Sequence, residues 1–263
     1  MRLAARLLAG VLDRAHPLWR VWFVTGLPDG RVAVVVKVHH VLADGLAAIH
    51  LITSMFGAKR VAHRHGGKVN DVVLSLATAG VRTLLRSRAE PVDGLWLHAS
   101  VAVSTRTPGQ AAEPGNRTGG MLVRLPCGEP DPGTRLAGIA VQSARAKSSQ
   151  LYSAGNALLV WLARLGIAGW FSRRQRMVHL VESNVAGPSS PITVLGVPVL
   201  DLIPIGNLAG NLAISFLAVS YAGQLVITVQ ADADHFPDLP VLVSAMWRDW
   251  AALSGCPSDP QVA

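Results

Sequence analysis

The constellation with the clearest chemistry is His39-His40-Val41-Leu42-Ala43-Asp44-Gly45, which stands at the end of an apolar run from Val32 to Val38. That run predicts a β-strand, apolar on both faces apart from Lys37, and a strand of this kind is central in a sheet covered on both sides. Adjacent strand residues point to opposite faces. His40 therefore shares the face of Val34, Val36 and Val38, while His39 turns away, and one imidazole can enter a cavity. A neutral imidazole, with an unshifted pKa of about 6.5, is suited to taking a proton from a hydroxyl near neutral pH. The alternative is a core histidine held by a backbone carbonyl. A metal reading would add Asp44 to the pair, but the two rings face apart and no further His, Asp or Glu cluster completes a shell, so no metal is expected. Asp44 stands where it would cap a following helix, and Gly45 permits a tight turn or a close backbone approach.

Other familiar reaction centres are absent from the sequence: it has no GxSxG nucleophile elbow, no GxxxxGK[ST] phosphate loop, no HExxH pair and no GxGxxG turn. Cys127 and Cys256 form neither a CxxC pair nor an even framework, which excludes a disulfide scaffold and points to a reducing compartment.

The elements that must position these residues follow from periodicity. Leu3, Leu7 and Val11 lie on one face of an opening helix. Pro28-Asp29-Gly30 turns the chain into the strand that ends at the histidines. Leu46, Ile49, Ile52 and Phe56 have helical spacing, so a helix is expected from Gly45 to about Phe56. A second helix is expected from about Asp71 to Arg86, with Asn70 as its N-cap. Strands are expected at Leu95–Val103, Met121–Leu125 and Met177–Glu182, a helical region from about Arg135 to Arg176, and a loop over Asn184–Pro191. A closing helix carries Leu239, Leu242, Met246 and Trp250. The 22 uncharged residues from Leu208 to Val229 are long enough to cross a bilayer, but the turn-like Tyr221-Ala222-Gly223-Gln224 divides them into two buried strands.

The whole sequence has 263 residues, half of them apolar and 15% charged, with a net charge of +8. That composition excludes a disordered polymer and leaves ample chain for a core. Of the 24 basic residues only Lys37, Lys59, Lys68 and Lys147 are lysine. They are scattered and no nucleic-acid-binding motif accompanies them, so nucleic acid is not expected as a partner. Arg6, Asp13 and Arg14 interrupt the apolar stretch that a signal peptide would need.

The histidine motif sits among blocks that together resemble the bacterial bifunctional wax ester synthase/diacylglycerol acyltransferase family. HHxxxDG alone marks a wider superfamily that includes peptide-synthetase condensation domains and polyketide-associated acyltransferases. The collinear remainder is more specific. It comprises Leu12-Asp13-Arg14-Ala15-His16-Pro17-Leu18-Trp19, Val69-Asn70-Asp71-Val72-Val73-Leu74, Val103-Ser104-Thr105-Arg106, Asp131-Pro132 with Arg135-Leu136, Glu182-Ser183-Asn184-Val185-Ala186-Gly187-Pro188 and Ser220-Tyr221-Ala222-Gly223-Gln224-Leu225.

The resemblance implies an α/β, chloramphenicol-acetyltransferase-like fold of two lobes with mixed sheets. It implies that His40 is the catalytic base, acting on a diacylglycerol or long-chain alcohol hydroxyl that attacks a fatty acyl-CoA without an acyl-enzyme. His39, Asp44 and Gly45 would shape the active-site loop, and Pro17, Leu18, Trp19, Asn70, Asp71, Ser183 and Asn184 are candidates for the substrate site. Acyl-CoA is then a co-substrate and no cofactor is called for. The implied setting is the cytoplasm, peripherally at the inner face of the plasma membrane. Trp161, Trp170 and Phe171 beside Arg173, Arg174 and Arg176 read either as an ordinary core helix ending in dipole-complementing arginines or as a stretch that docks on an anionic membrane or lipid droplet.

Two departures from the family pattern stand out. Ala186 replaces a usual proline, and the segments before Leu12 and between the histidine motif and Asn70 are short. The expectation is an incomplete first lobe, residues 1–58, followed by an acyltransferase lobe over 59–263. Two further functions share these motifs: a non-catalytic lipid- or partner-binding remnant, and an acyltransferase that takes its acyl group from a carrier protein.

Overall fold

In the computed structural model the described residues are 19–38, 46–104, 118–148, 168–206, 208 and 210–255, together with Leu3 and Leu7. The fold is mixed α/β. Strands β1 (Trp19–Val24) and β2 (Ala33–Val38) form an antiparallel pair around the Pro28–Gly30 turn. Six more strands make one mixed sheet: β3 (Leu46–Ser54), β4 (Trp96–Ser104), β5 (Thr118–Pro126), β6 (Leu180–Ala186), β9 (Ile214–Tyr221) and β10 (Gln224–Asp232). Their order across the sheet is β3-β10-β9-β6-β4-β5. β6 runs parallel to both β4 and β9, and the remaining pairs are antiparallel. A small hairpin, β7 (Thr193–Val194) with β8 (Val197–Pro198), leaves the sheet between β6 and β9.

Helices α1 (Met55–Arg64), α2 (Val69–Ser87), α3 (Pro132–Ser148) and α5 (Leu239–Ser254) form a layer with the sheet, and α4 (Ala168–Ser172) is a single short turn. Leu74 and Leu76 of α2 and Leu242 and Met246 of α5 meet Phe216, Ile227 and Val229 of the sheet in one buried cluster. A buried ion pair joins α3 to α5: the Arg135 guanidinium donates to the Asp249 carboxylate and also to the carbonyls of Glu129 and Pro130. Cys127 is fully buried, and burial pushes its thiol up to about 11, so it is inert.

Several expectations change here. Residues 46–54 form a strand, not the first turns of a helix. They pair antiparallel with β10 from Leu46↔Asp232 to Ser54↔Gln224, and the helix starts only at Met55, where the Ser54 hydroxyl accepts from the Gly57 N–H. Spacing that suits a helix also suits a strand when a sheet edge is on offer, and tertiary pairing decides. This strand lies within the stretch grouped above as residues 1–58, yet it is the edge of the sheet built by the rest of the chain. β2 is not central among the described residues: there it pairs with β1 alone, and Val34 and Val36 are exposed. Asn70 is not the N-cap of α2, since the helix begins at Val69 with Lys68 in the cap position. Ser183 and Asn184 belong to β6, because parallel pairing with β9 carries that strand through to Ala186.

The uncharged stretch from Leu208 becomes β9 and most of β10 joined by the turn at Ala222-Gly223, as its pattern predicts. Among the described residues no helix is long and apolar enough to cross a membrane.

Candidate functional site

Two of the sequence blocks meet in space. The first is the start of α2. Its third residue, Asp71, is buried and reaches back to accept the Lys68 N–H at 2.7 Å, which satisfies one of the unpaired donors of a helix N-terminus. Asn70 occupies the same turn, half-buried. The second block is β6. Strand alternation sends Leu180, Glu182 and Asn184 toward the helix layer and Ser183 to the opposite face.

Glu182 has no exposed surface and lies between its strand neighbours Val101 and Phe216. The Asn70 side chain faces its carboxyl group without closing to a full hydrogen bond, and among the described residues neither carboxyl oxygen has another partner. Burial pushes this carboxyl up to about 8; the Asn70 amide opposes the shift and the nearby Asp71 charge adds to it. At neutral pH Glu182 is therefore mostly the neutral acid. A neutral carboxyl can donate a hydrogen bond where a carboxylate can only accept, so this group can hold Asn70 and the helix start as donor or acceptor.

Asn70, Asp71 and Asn184 thus gather around one buried acid, while Ser183 joins a polar row on the other face of the sheet. There Ser215, Thr228 and Gln230 are buried, and the Gln230 amide holds the backbone of Gly206 through a donated and an accepted bond of 3.2 and 2.8 Å. The turn after β6 is close-packed: a Cβ on Gly187 would lie 2.3 Å from the Ser220 carbonyl oxygen. Sequence reasoning missed Glu182 as a site residue. Its signal was a single acid in the core-facing phase of the apolar run His179-Leu180-Val181-Glu182.

On the other sheet, the backbone of Trp19 pairs with Val38, the residue before His39. His39, His40, Asp44 and Gly45, with Pro17 and Leu18, lie outside the described residues. Among the described residues no three His, Cys, Asp or Glu side chains converge as a metal site.

Residues 114–253 match the WS/DGAT C-terminal domain, and residues 1–61 match the wax ester synthase/diacylglycerol acyltransferase catalytic domain. A protein described as a diacylglycerol O-acyltransferase of Mycobacterium bovis is 27% identical over 329 positions, covering 90% of this chain and 71% of its own. Another so described, from Mycobacterium tuberculosis, is 25% identical and covers 91% of this chain and 72% of its own. The 329 aligned positions outnumber the 263 residues of the chain, so the relative carries extra residues inside the matched region. Among solved structures, the wax ester synthase/diacylglycerol acyltransferase from Marinobacter aquaeolei VT8 is similar with a TM-score of 0.75 at 21% identity, over 97% of this chain and 76% of that one. A structure bearing on condensation-domain-mediated chain release from the enacyloxin polyketide synthase is similar over 100% of this chain and 48% of that one, with a TM-score of 0.52 at 12% identity. At these identities the likeness is one of fold.

Proposed function

The chain belongs to the wax ester synthase/diacylglycerol acyltransferase family, and from that membership we propose that it transfers a fatty acyl group from acyl-CoA to the free hydroxyl of a diacylglycerol, forming triacylglycerol. Long-chain alcohols are the alternative acceptors, which would yield wax esters. The observation that carries this reading is that the match to the catalytic domain, residues 1–61, contains the whole of His39-His40-Val41-Leu42-Ala43-Asp44-Gly45. In the proposed step His40 accepts the hydroxyl proton as the oxygen attacks the thioester carbonyl carbon. The new C–O bond forms, the C–S bond breaks, and the imidazolium returns the proton to the departing sulfur, giving free CoA. No acyl-enzyme and no cofactor is required. By the family motif His39, Asp44 and Gly45 serve the loop that carries the base, and Pro17, Leu18 and Trp19 are candidates for the substrate site. Asn70, Asp71, Glu182 and Asn184 position the wall contributed by the helix-covered face of the six-stranded sheet, and Ser183 stands on its other face. The net charge of +8 favours the phosphates of CoA.

The test is CoA release from a long-chain acyl-CoA with diacylglycerol. Release is expected from the native chain and its loss from His40→Ala with the fold intact; absence of release from well-folded native chain would sink the proposal. One observation favours a second reading, a chain that binds lipid without turnover: Val34 and Val36 on β2, the strand leading to His39, are open to water. Binding of acyl-CoA with no CoA release would identify that case. Activity restored by an acylated carrier protein would instead move the chain to the carrier-dependent branch of the superfamily.

A further inference from the structure

From Ser183 to Leu200 the sequence holds no charged residue. After Pro188 this stretch leaves the sheet as the β7–β8 hairpin, whose strands are exposed throughout. Leu195 at its tip is 89% exposed and Val197 65%, with Ile192, Val194 and Leu200 also open to water. Loop tips are ordinarily built from glycine, asparagine, aspartate and serine, and a cluster of exposed aliphatic side chains marks an interaction surface. The backbone sharpens the point. Leu195 has φ 53° and Gly196 φ 81°, so both central residues of this two-residue turn are left-handed, the pattern of a type I′ turn. Asn-Gly satisfies that turn, whereas a leucine in its first position is disfavoured. Solvation and backbone preference both argue for a polar residue where the sequence has an aliphatic one.

The hairpin is also held firmly. Tyr221, buried at the end of β9, donates its hydroxyl to the Val199 carbonyl at 2.7 Å and accepts the Ile192 N–H at 3.0 Å, while the Val199 N–H donates to the Ile192 carbonyl at 2.9 Å. The turn that follows ties in a second element. The Ala222 N–H donates to the Pro188 carbonyl, and the Met55 N–H donates to the Gly223 carbonyl, so the stem of the hairpin and the first turn of α1 flank one end of the sheet. There α1 presents Phe56, 72% exposed, with the Arg60 guanidinium 5.3 Å from its ring centre, and the exposed Lys59. The acidic residue nearest in sequence is Asp201, at the foot of the hairpin. Trp170 and Arg174, the docking candidate read from the sequence, lie elsewhere, and Trp161 lies outside the described residues: the Asn211 N–H donates to the Ser172 carbonyl just before β9 begins, roughly 25 Å along that strand from the hairpin.

We propose that the tip of the hairpin from Ile192 to Leu200 inserts into an anionic lipid surface, with Phe56, Lys59 and Arg60 resting at the level of the headgroups. An apolar tip whose stem flanks the same end of the sheet as an aromatic ring and two cations has the chemistry of a peripheral membrane anchor, joining aliphatic burial to attraction by anionic lipid. The inference deepens the acyltransferase reading and rests on it for the choice of a lipid surface over a protein partner.

The experiment is co-sedimentation of the full chain with phosphatidylcholine vesicles, with and without phosphatidylglycerol, in the absence of acyl-CoA. The native chain is expected to bind vesicles that contain phosphatidylglycerol. Leu195→Asn should weaken that binding by about tenfold, the effect of one leucine side chain kept in water. Its melting temperature should not fall, because asparagine suits the left-handed turn. Reversing charge at Lys59 and Arg60 should abolish the preference for phosphatidylglycerol. Native chain that stays in the supernatant with both vesicle types overturns the proposal, as does Leu195→Asn that binds as well as native. Conversion of a native dimer to a monomer by Leu195→Asn also overturns it and assigns the hairpin to a second copy. Binding that follows the expected pattern supports the anchor even if the native chain releases no CoA, an outcome that counts against the acyltransferase reading alone.

Discussion

Replacing Glu182 by glutamine should stabilise this protein above neutral pH and leave it little changed in mild acid. The carboxyl group of Glu182 is fully buried, finds no complete hydrogen bond among the described residues, and is pushed from an ordinary 4.5 up to about 8. In the unfolded chain it loses its proton near 4.5, while in the fold it keeps that proton to about 8. Between those values the folded state holds more protons than the unfolded one, so this group's contribution is fully present below 4.5 and is lost as pH rises through 8. The slope within the window approaches about 1.4 kcal/mol per pH unit, and by neutral pH the accumulated loss is about 3 kcal/mol.

Glutamine has nearly the same shape and cannot ionise, so the loss disappears with it. Urea unfolding of both forms from about pH 5 to pH 9 isolates the effect, because Asp71 and every other titrating group is common to both and cancels in the difference. The gap should open steadily in favour of Glu182→Gln and level off above about pH 8. A gap that stays flat over the range would refute the reasoning, since it would mean that the carboxyl group is solvated or paired in the fold.

Two further outcomes test the packing around the site. Arg135→Ala should cost about 3 to 5 kcal/mol in chemical denaturation, because it strands the buried Asp249 carboxyl, which burial already pushes upward; pairing it with Asp249→Leu should recover much of that loss. Gly187→Ala should lower the melting temperature by several degrees, because its new methyl group meets the Ser220 backbone oxygen, which β9 holds in place.

Periodicity reads correctly where the local pattern and the tertiary partner agree. The closing helix and α2 each carry an apolar stripe that finds the sheet, and Tyr221-Ala222-Gly223-Gln224 marks the turn between β9 and β10 because its residues suit a turn whatever surrounds them. The failures share one cause. Leu46, Ile49 and Ile52 fit a helix as well as a strand, and what selects the strand is β10, whose residues lie far along the chain. Asn184, Val185 and Ala186 look like loop residues until β9 supplies a parallel partner. The buried acid was legible only as an oddity, a charge on the core-facing side of a strand, and its meaning depended on Asn70 arriving beside it.

The distribution of support through the fold bears on how the proposed reaction can fail. Asn70 and Asp71 open α2 and Glu182 stands in the middle of the six-stranded sheet, beside the buried cluster that the two share. Among the described residues the strand that leads to His39 and His40 has one partner only, and Phe23, Val34 and Val36 face water on the resulting ribbon. A two-stranded hairpin is at best marginal without something packed on it. Binding and catalysis are therefore expected to respond separately to destabilisation. Mild denaturant should abolish CoA release, which needs the histidine strand in place, before it disturbs the sheet and its helices. Following release and near-ultraviolet circular dichroism through one urea titration distinguishes the cases: coincident midpoints would mean that the ribbon is as well supported as the sheet, and the argument for separable loss would fall.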